Sequence, residues 1–273
     1  MDAPRRVGSR ATNEQRREFE AQVAKWIAVP GDEVADTSNA EPAPRWLVDA
    51  RLVSTSPQSH TEEQPFVVVL FAGPPNRPDG LAAELQRLGA RVVEVDVLIG
   101  GRLHDLTGMT PDGIGWYLLR SAAMGLVAAV HIALPCEQYS PVVADEHTVR
   151  DALHVNGLPR LPPRDANRVM LHNTLRRVSA DFSNAVGSGG GEVIFENPAD
   201  RADKSQPHVY WEEKAGHASL FDTDELKRFR DEHGARRITA PFCAFGADVQ
   251  KYFTLLATPG AANTTKPIGY LIA

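Results

Sequence analysis

From Phe66 onward the chain alternates short runs of β-branched and aliphatic residues with amphipathic segments, and this alternation constrains its fold most. Strands separated by helical stretches cannot close as tight hairpins, so the pattern predicts a mostly parallel, doubly wound α/β sheet with helices on both faces. Phe66 to Phe71 reads as a fully apolar strand, and Asp79 is placed to cap a helix carrying Leu81, Leu85 and Leu88 on one face. Arg91 to Val97 is the second strand, Thr110-Pro111 opens another helix, and Leu126 to Leu134 is a buried strand. Asp165 is placed to cap a long helix with Leu171, Leu175, Val178 and Phe182 on one stripe, ended by the glycine-rich run from Gly187 to Gly191. Glu192 to Phe195 then reads as a strand and Thr223 to His233 as a helix closed by Gly234. Arg237 to Phe242 and Tyr252 to Ala257 are close enough to form a C-terminal antiparallel hairpin.

Before Phe66 the pattern is different. Thr12 with Gln15 fits a capping box, and Phe19, Val23 and Trp26 recur on one helical face, a surface a protein partner could take. The stretches 30–44 and 54–65 are polar and proline-containing and read as linkers; Trp46 to Val53 between them could pack as a short element of either type. Residues 1–65 are therefore expected to be an N-terminal extension and 66–273 the α/β domain.

Composition narrows the function classes. Two cysteines, Cys136 and Cys243, are too few for a disulfide framework, and no charged-then-apolar leader opens the sequence. An intracellular location, nuclear or cytoplasmic, is the expectation. No apolar run approaches the roughly 20 residues that span a bilayer, the longest being broken by His131 and Pro135, so no membrane partner is expected. A net charge of -6 removes chain-wide phosphate binding. Any nucleic-acid contact must then be local, through Arg160, Arg164, Arg168, Arg176 and Arg177 or through Lys227, Arg228, Arg230, Arg236 and Arg237, each cluster also readable as a solvated helix face.

In an open parallel sheet ligands bind beyond the carboxyl ends of the strands, which directs attention to four places. The Phe71-Ala72-Gly73-Pro74 turn leads into a helix and suits a cofactor lying against the backbone. Asp96, after the second strand, is where an acid can accept from ribose hydroxyls, and Asp105 could accept from an exocyclic amine. Pro135-Cys136-Glu137-Gln138-Tyr139-Ser140 follows the most apolar strand and offers a reachable thiol. Glu196-Asn197-Pro198 puts an acid at the same crevice. Each of these residues also has a purely structural reading, as a turn, a strand-end acid or a packed thiol.

Taken in order, the four places resemble the cytosine-5 DNA methyltransferase family, and residues 66 to 258 look like its short methyltransferase-like members from algal, viral and mobile-element genomes. The resemblance implies a sheet of the class I S-adenosylmethionine-dependent methyltransferase type. It implies S-adenosyl-L-methionine as cofactor, with Phe71, Ala72 and Gly73 near its methionine part, Asp96 on the ribose, Asp105 by the adenine, and Pro135 beside it. Cys136 would attack carbon 6 of cytosine and Glu196 would hold the ring nitrogen, the substrate being DNA in preference to RNA. The sequence departs from the family's pattern at Glu137 and Pro198, and only Arg201 is a candidate for the paired-arginine motif. The stretch 197–273 is short for a target-recognition domain, which leaves a non-catalytic binding or assembly subunit as the alternative. A thiol hydrolase pairing Cys136 with His131 or His208 is disfavoured, because His131 lies five residues earlier and points to the other strand face.

Overall fold

The computed structural model describes residues 65–264 apart from 75–76, 79, 108–112, 142–147 and 242–250. The N-terminal helix and its partner surface, both linkers, the Asp79 cap, the Thr110-Pro111 start and Cys243 lie outside the described residues.

Six strands form one sheet: β1 (Phe66–Leu70), β2 (Val92–Val95), β3 (Val127–Ile132), β4 (Glu192–Pro198), β5 (Arg236–Pro241) and β6 (Tyr252–Ala257), in the order β2-β1-β3-β4-β6-β5. The pairs β1–β2, β1–β3 and β3–β4 are parallel, while β6 runs antiparallel to both β4 and β5. The expected mostly parallel α/β sheet and closing antiparallel hairpin are both present. The hairpin is not appended at the edge: its second strand inserts between β4 and β5, which makes β6 internal and buries Phe253 to Ala257.

The inward face of the sheet carries Val68, Leu70, Val130, Ile132, Val193 and Phe195, and these pack with residues of α3 (Ile114–Ala123), α4 (Pro163–Ser188) and α5 (Asp224–His233). The edge-to-face pair Phe195 and Phe229 joins β4 to α5 at a 5.6 Å centroid distance. Full burial of such side chains contributes about 2–3 kcal/mol each and fixes which face the long helix must cover. On the opposite face α6 (Pro259–Thr264) packs Ala261 and Ala262 toward Ile194 and Ile238. The crossover from β1 to β2 runs in the opposite direction to the one from β2 to β3, so the right-handed rule sends α1 (Leu81–Arg87) to that second face. A single short turn of helix, α2 (Val97–Gly100), follows β2.

Several local expectations change in three dimensions. The stripe on α1 is only partly covered: Leu81 and Leu88 are exposed and Leu85 is half-buried, while the one fully buried residue of the helix is Ala82, a small side chain that lets a short helix lie close to the sheet. On α4 the helix starts at Pro163 with Pro162 at the cap position, so Asp165 sits inside the first turn. Leu171 is exposed, and the buried stripe instead includes His172, Arg176, Ser179 and Ser183 beside Phe182. His172 and Arg176 are received by partners from other elements, and Ser183 donates to the Ser179 carbonyl of its own helix. The glycine-rich run ends α4 and also permits β4 to enter beside β3: a Cβ on Gly191 would lie 2.4 Å from the Val127 carbonyl oxygen.

Candidate functional site

In this sheet the chain leaves β1 toward β2 on one side and returns to β3 on the other, so the crevice opens between the carboxyl ends of β1 and β3. The first wall is the Phe71-Ala72-Gly73 turn. Phe71 N–H and Ala72 N–H both donate to the Val95 carbonyl, and Phe71 is held at φ 59°, a left-handed conformation that costs a bulky residue about 1 kcal/mol or more. Gly73 has φ 81°, and among the described residues a Cβ placed on it would meet only the Arg77 side chain, at 4.0 Å, so none of them crowds this stretch of backbone.

The second wall is Asp96. Its Oδ2 accepts from Gly73 N–H at 3.0 Å and its Oδ1 accepts from Leu98 N–H at 2.8 Å, capping α2. That capping ends β2 at Val95 rather than at Val97. The buried His104 ring accepts from Asp96 N–H through Nδ1 at 3.4 Å, and burial pulls its pKa below the ordinary value. Asp105 forms a local turn, its Oδ1 accepting from Thr107 N–H at 2.9 Å and from Thr107 Oγ1 at 2.6 Å. Both acids thus have structural duties, and both remain partly exposed.

The third wall is the 3₁₀ turn Cys136–Gln138. Cys136 is free and half-buried. One stripe of α4, Arg168, His172 and Arg176 at four-residue spacing, holds the residues around it. His172 Nε2 lies 2.5 Å from the Pro135 carbonyl oxygen, Arg168 Nη2 donates to Glu137 Oε1 at 3.0 Å, and Arg176 Nη1 donates to Tyr139 Oη at 2.9 Å. Gln138 donates to the Arg168 carbonyl at 3.0 Å and accepts from Arg150 Nη2 at 2.7 Å. Glu137 therefore directs its carboxylate to a guanidinium on α4. The local basic patch expected around Arg176 is corrected here: Arg176 is 2% exposed and bonded to Glu225, Asn156 and Tyr139, because a buried charge is stable only when paired and hydrogen-bonded. In the second cluster Arg237 is committed to Asp222 at 2.9 Å, while Lys227, Arg228 and Arg236 are exposed.

The fourth wall is β4. Glu196 and Asn197 lie within this strand rather than after it, since Glu196, Asn197 and Pro198 continue the ladder opposite Leu255, Thr254 and Phe253. Asn197 is buried and its Nδ2 reaches the Leu134 carbonyl at 3.5 Å, which sets the Glu196-Asn197 step beside the exit of β3 into Pro135-Cys136. Cys136 and Glu196 are not hydrogen-bonded to each other. Glu196 pairs instead with His131, Nε2 to Oε2 at 3.1 Å, and its Oε1 has no partner among the described residues.

Neither His172 nor Arg150 stands out as a site residue in the sequence, and His131 enters there only as a disfavoured partner for the Cys136 thiol. The four-residue spacing of Arg168, His172 and Arg176 was the one signal that could have found His172. No family model matches this chain, and no curated protein matches it.

Proposed function

We propose that this protein is an S-adenosylmethionine-dependent methyltransferase of the class I sheet type, acting on carbon 5 of cytosine in DNA, with RNA as the alternative substrate. The observation that carries this reading is the Asn197 contact with the Leu134 carbonyl, which joins the Glu196 strand to the Cys136 turn at the carboxyl end of the sheet. The Gly73 backbone, uncrowded by the described residues and held by Asp96, fits a cofactor in the neighbouring crevice. Phe71, Ala72, Gly73, Asp96, Asp105 and Pro135 would hold it, and when bound it supplies an electrophilic methyl group.

The protein's own residues have separable tasks. The Cys136 thiolate adds to carbon 6 of the ring, which moves electron density onto carbon 5, a centre too weakly nucleophilic on its own; once carbon 5 carries the methyl group, loss of its proton to water and cleavage of the carbon–sulfur bond restore the ring and return the thiolate. The Glu196 Oε1 position, free of protein partners among the described residues, can hold a proton at ring nitrogen 3 and stabilise the charge that develops there. The Arg168, His172 and Arg176 stripe keeps the Cys136 turn from moving during attack. A base stacked in a duplex cannot reach this crevice, so the target is flipped out or already unpaired.

The test is incubation of the folded full chain with methyl-labelled cofactor and separate samples of single-stranded DNA, duplex DNA and RNA. Label on cytosine that disappears in Cys136→Ser, with cofactor binding retained, is the expected outcome; no label in any sample refutes the enzyme. One observation favours a second reading, a cofactor-binding subunit without turnover: both Asp96 oxygens and one Glu196 oxygen are already engaged by the protein. Cofactor binding without label transfer would select it.

A further inference from the structure

A cavity of about 400 Å³ is lined by Glu137 and Gln138 of the Cys136 turn, by Ser140, by the irregular segment Thr148 to Asp151, and by residues of the Glu213 to His217 loop. Its volume suits a ligand of nucleotide size. Arg150 forms part of the wall and is 2% exposed. Its Nε and Nη2 donate to Gln138 Oε1 at 3.0 and 2.7 Å, Nη2 also to the Val169 carbonyl at 3.3 Å, and Nη1 to the Val155 carbonyl at 2.5 Å. The Tyr139 ring lies 4.7 Å from the guanidinium carbon. All but one of its N–H groups are satisfied, yet every acceptor is neutral. A buried guanidinium on α4, Arg176, also reaches Tyr139 and has Glu225 as counter-charge at 3.0 Å. The two buried cations around Tyr139 therefore share one carboxylate among the described residues.

A buried charge without a counter-charge is costly, and the cost falls when an anion binds next to it. Two further lining residues, His217 and Thr148, are suited to an oxyanion. Both ring nitrogens of His217 are buried without a hydrogen-bond partner among the described residues, and Asp200 Oδ1 lies 4.0 Å from Nδ1. Thr148 adds a hydroxyl to the same lining. The carboxylates on the wall do not neutralise Arg150: Glu137 is held by Arg168, Asp151 accepts from the Leu153 and His154 backbone and from the His154 ring, and Glu213 is exposed.

We infer that this cavity is an oxyanion site that takes the phosphate of a nucleotide, either free or within a single strand. The site goes beyond methyl transfer and requires neither Cys136 chemistry nor bound cofactor.

The experiment is thermal unfolding of the full chain at constant ionic strength with inorganic phosphate, cytidine monophosphate, cytidine, or a short single-stranded oligonucleotide. The monophosphate at a hundredfold excess over its Kd should raise Tm by roughly 5–10 °C, with inorganic phosphate weaker and cytidine inert. His217→Ala and Thr148→Val, which leave Arg150 in place, should each abolish most of that rise; Arg150→Met tests the charge directly. If Arg150→Met does not fold, the two wall variants decide. A rise with the oligonucleotide but not the monophosphate, lost in the same variants, assigns the phosphate to a strand. No rise with any phosphate-bearing probe, or a rise that survives both wall variants, overturns the site. Phosphate binding that persists in a protein without label transfer would count against the methyltransferase reading alone.

Discussion

His131 on β3 sets its Nε2 3.1 Å from Oε2 of Glu196 on β4. The register makes this contact: His131 stands opposite Ile194, and Glu196, two residues further along the parallel strand, projects from the same face. One carboxylate oxygen is thereby fixed while the side chain remains 32% exposed, so its other oxygen can be offered to a substrate in a set direction.

If Glu196 handles a proton during methyl transfer, His131 is a positioning residue. His131→Ala should lower kcat by roughly tenfold to a hundredfold with little change in KM for nucleic acid, and His131→Gln, which keeps a donor, should recover part of the loss. The measurement is a kcat and KM series across pH. An unchanged rate and pH profile in His131→Ala would remove His131 from the mechanism.

Arg176 is the most demanding member of the α4 stripe, since its guanidinium is 2% exposed and bonded to Glu225, Asn156, Asn173 and Tyr139. Arg176→Ala strands the partly buried Glu225 and should cost about 3 kcal/mol, which corresponds to a Tm lower by roughly 6–12 °C. Its exposed neighbour Arg177 should change stability by less than ~0.5 kcal/mol when replaced by Ala. Equal losses in the two variants would mean that the buried network carries no special weight.

Acid should loosen the Cys136 turn. Burial holds the His172 pKa below the ordinary histidine value despite the Pro135 carbonyl that its ring meets. The unfolded chain takes up this proton from about pH 6.5 downward while the folded chain resists it, so stability is fully present above that pH and is lost as pH falls toward the folded value. His104 and His233 are displaced in the same direction by burial and add to the slope. Urea midpoints at pH 7.5 and 5.5 should fall in that order, and His172→Gln should flatten the difference; a midpoint that does not depend on His172 contradicts this account.

Asp181 works in the opposite sense. Burial first, and the nearby Glu225 charge second, push its pKa from 3.8 up to about 6. The folded state therefore binds this proton more tightly, and the contribution is present below the ordinary carboxylate range and lost as pH rises through about 6. Asp181→Asn should stabilise the protein at pH 8 by roughly 1 kcal/mol, allowing for solvent screening of a partly exposed group, or about 2–4 °C in Tm. The gain should vanish near pH 4. A destabilised variant at pH 8 would show that Asp181 makes a favourable contact instead.

The alternation beginning at Phe66 was enough to identify β1 to β4 as parallel-sheet strands and the last two strands as a hairpin, because side-chain periodicity and glycine stops are local properties. The same local information could name Cys136 and Glu196 as strand-end candidates. It could not say that β6 enters between β4 and β5, and that insertion is what extends β4 through Pro198 and turns Glu196 into a strand residue.

Burial of charge was equally out of reach. Arg168 and Arg176 belong to one run of arginines in the sequence, yet one is half-exposed on Glu137 and the other is enclosed with Glu225, 49 positions away. The sequence by itself determined which segments are strands and helices and where thiol and carboxyl could stand. Tertiary structure alone decided which side chains meet, His131 with Glu196 and His172 with Pro135, since those contacts depend on strand register and helix packing between residues far apart in the chain.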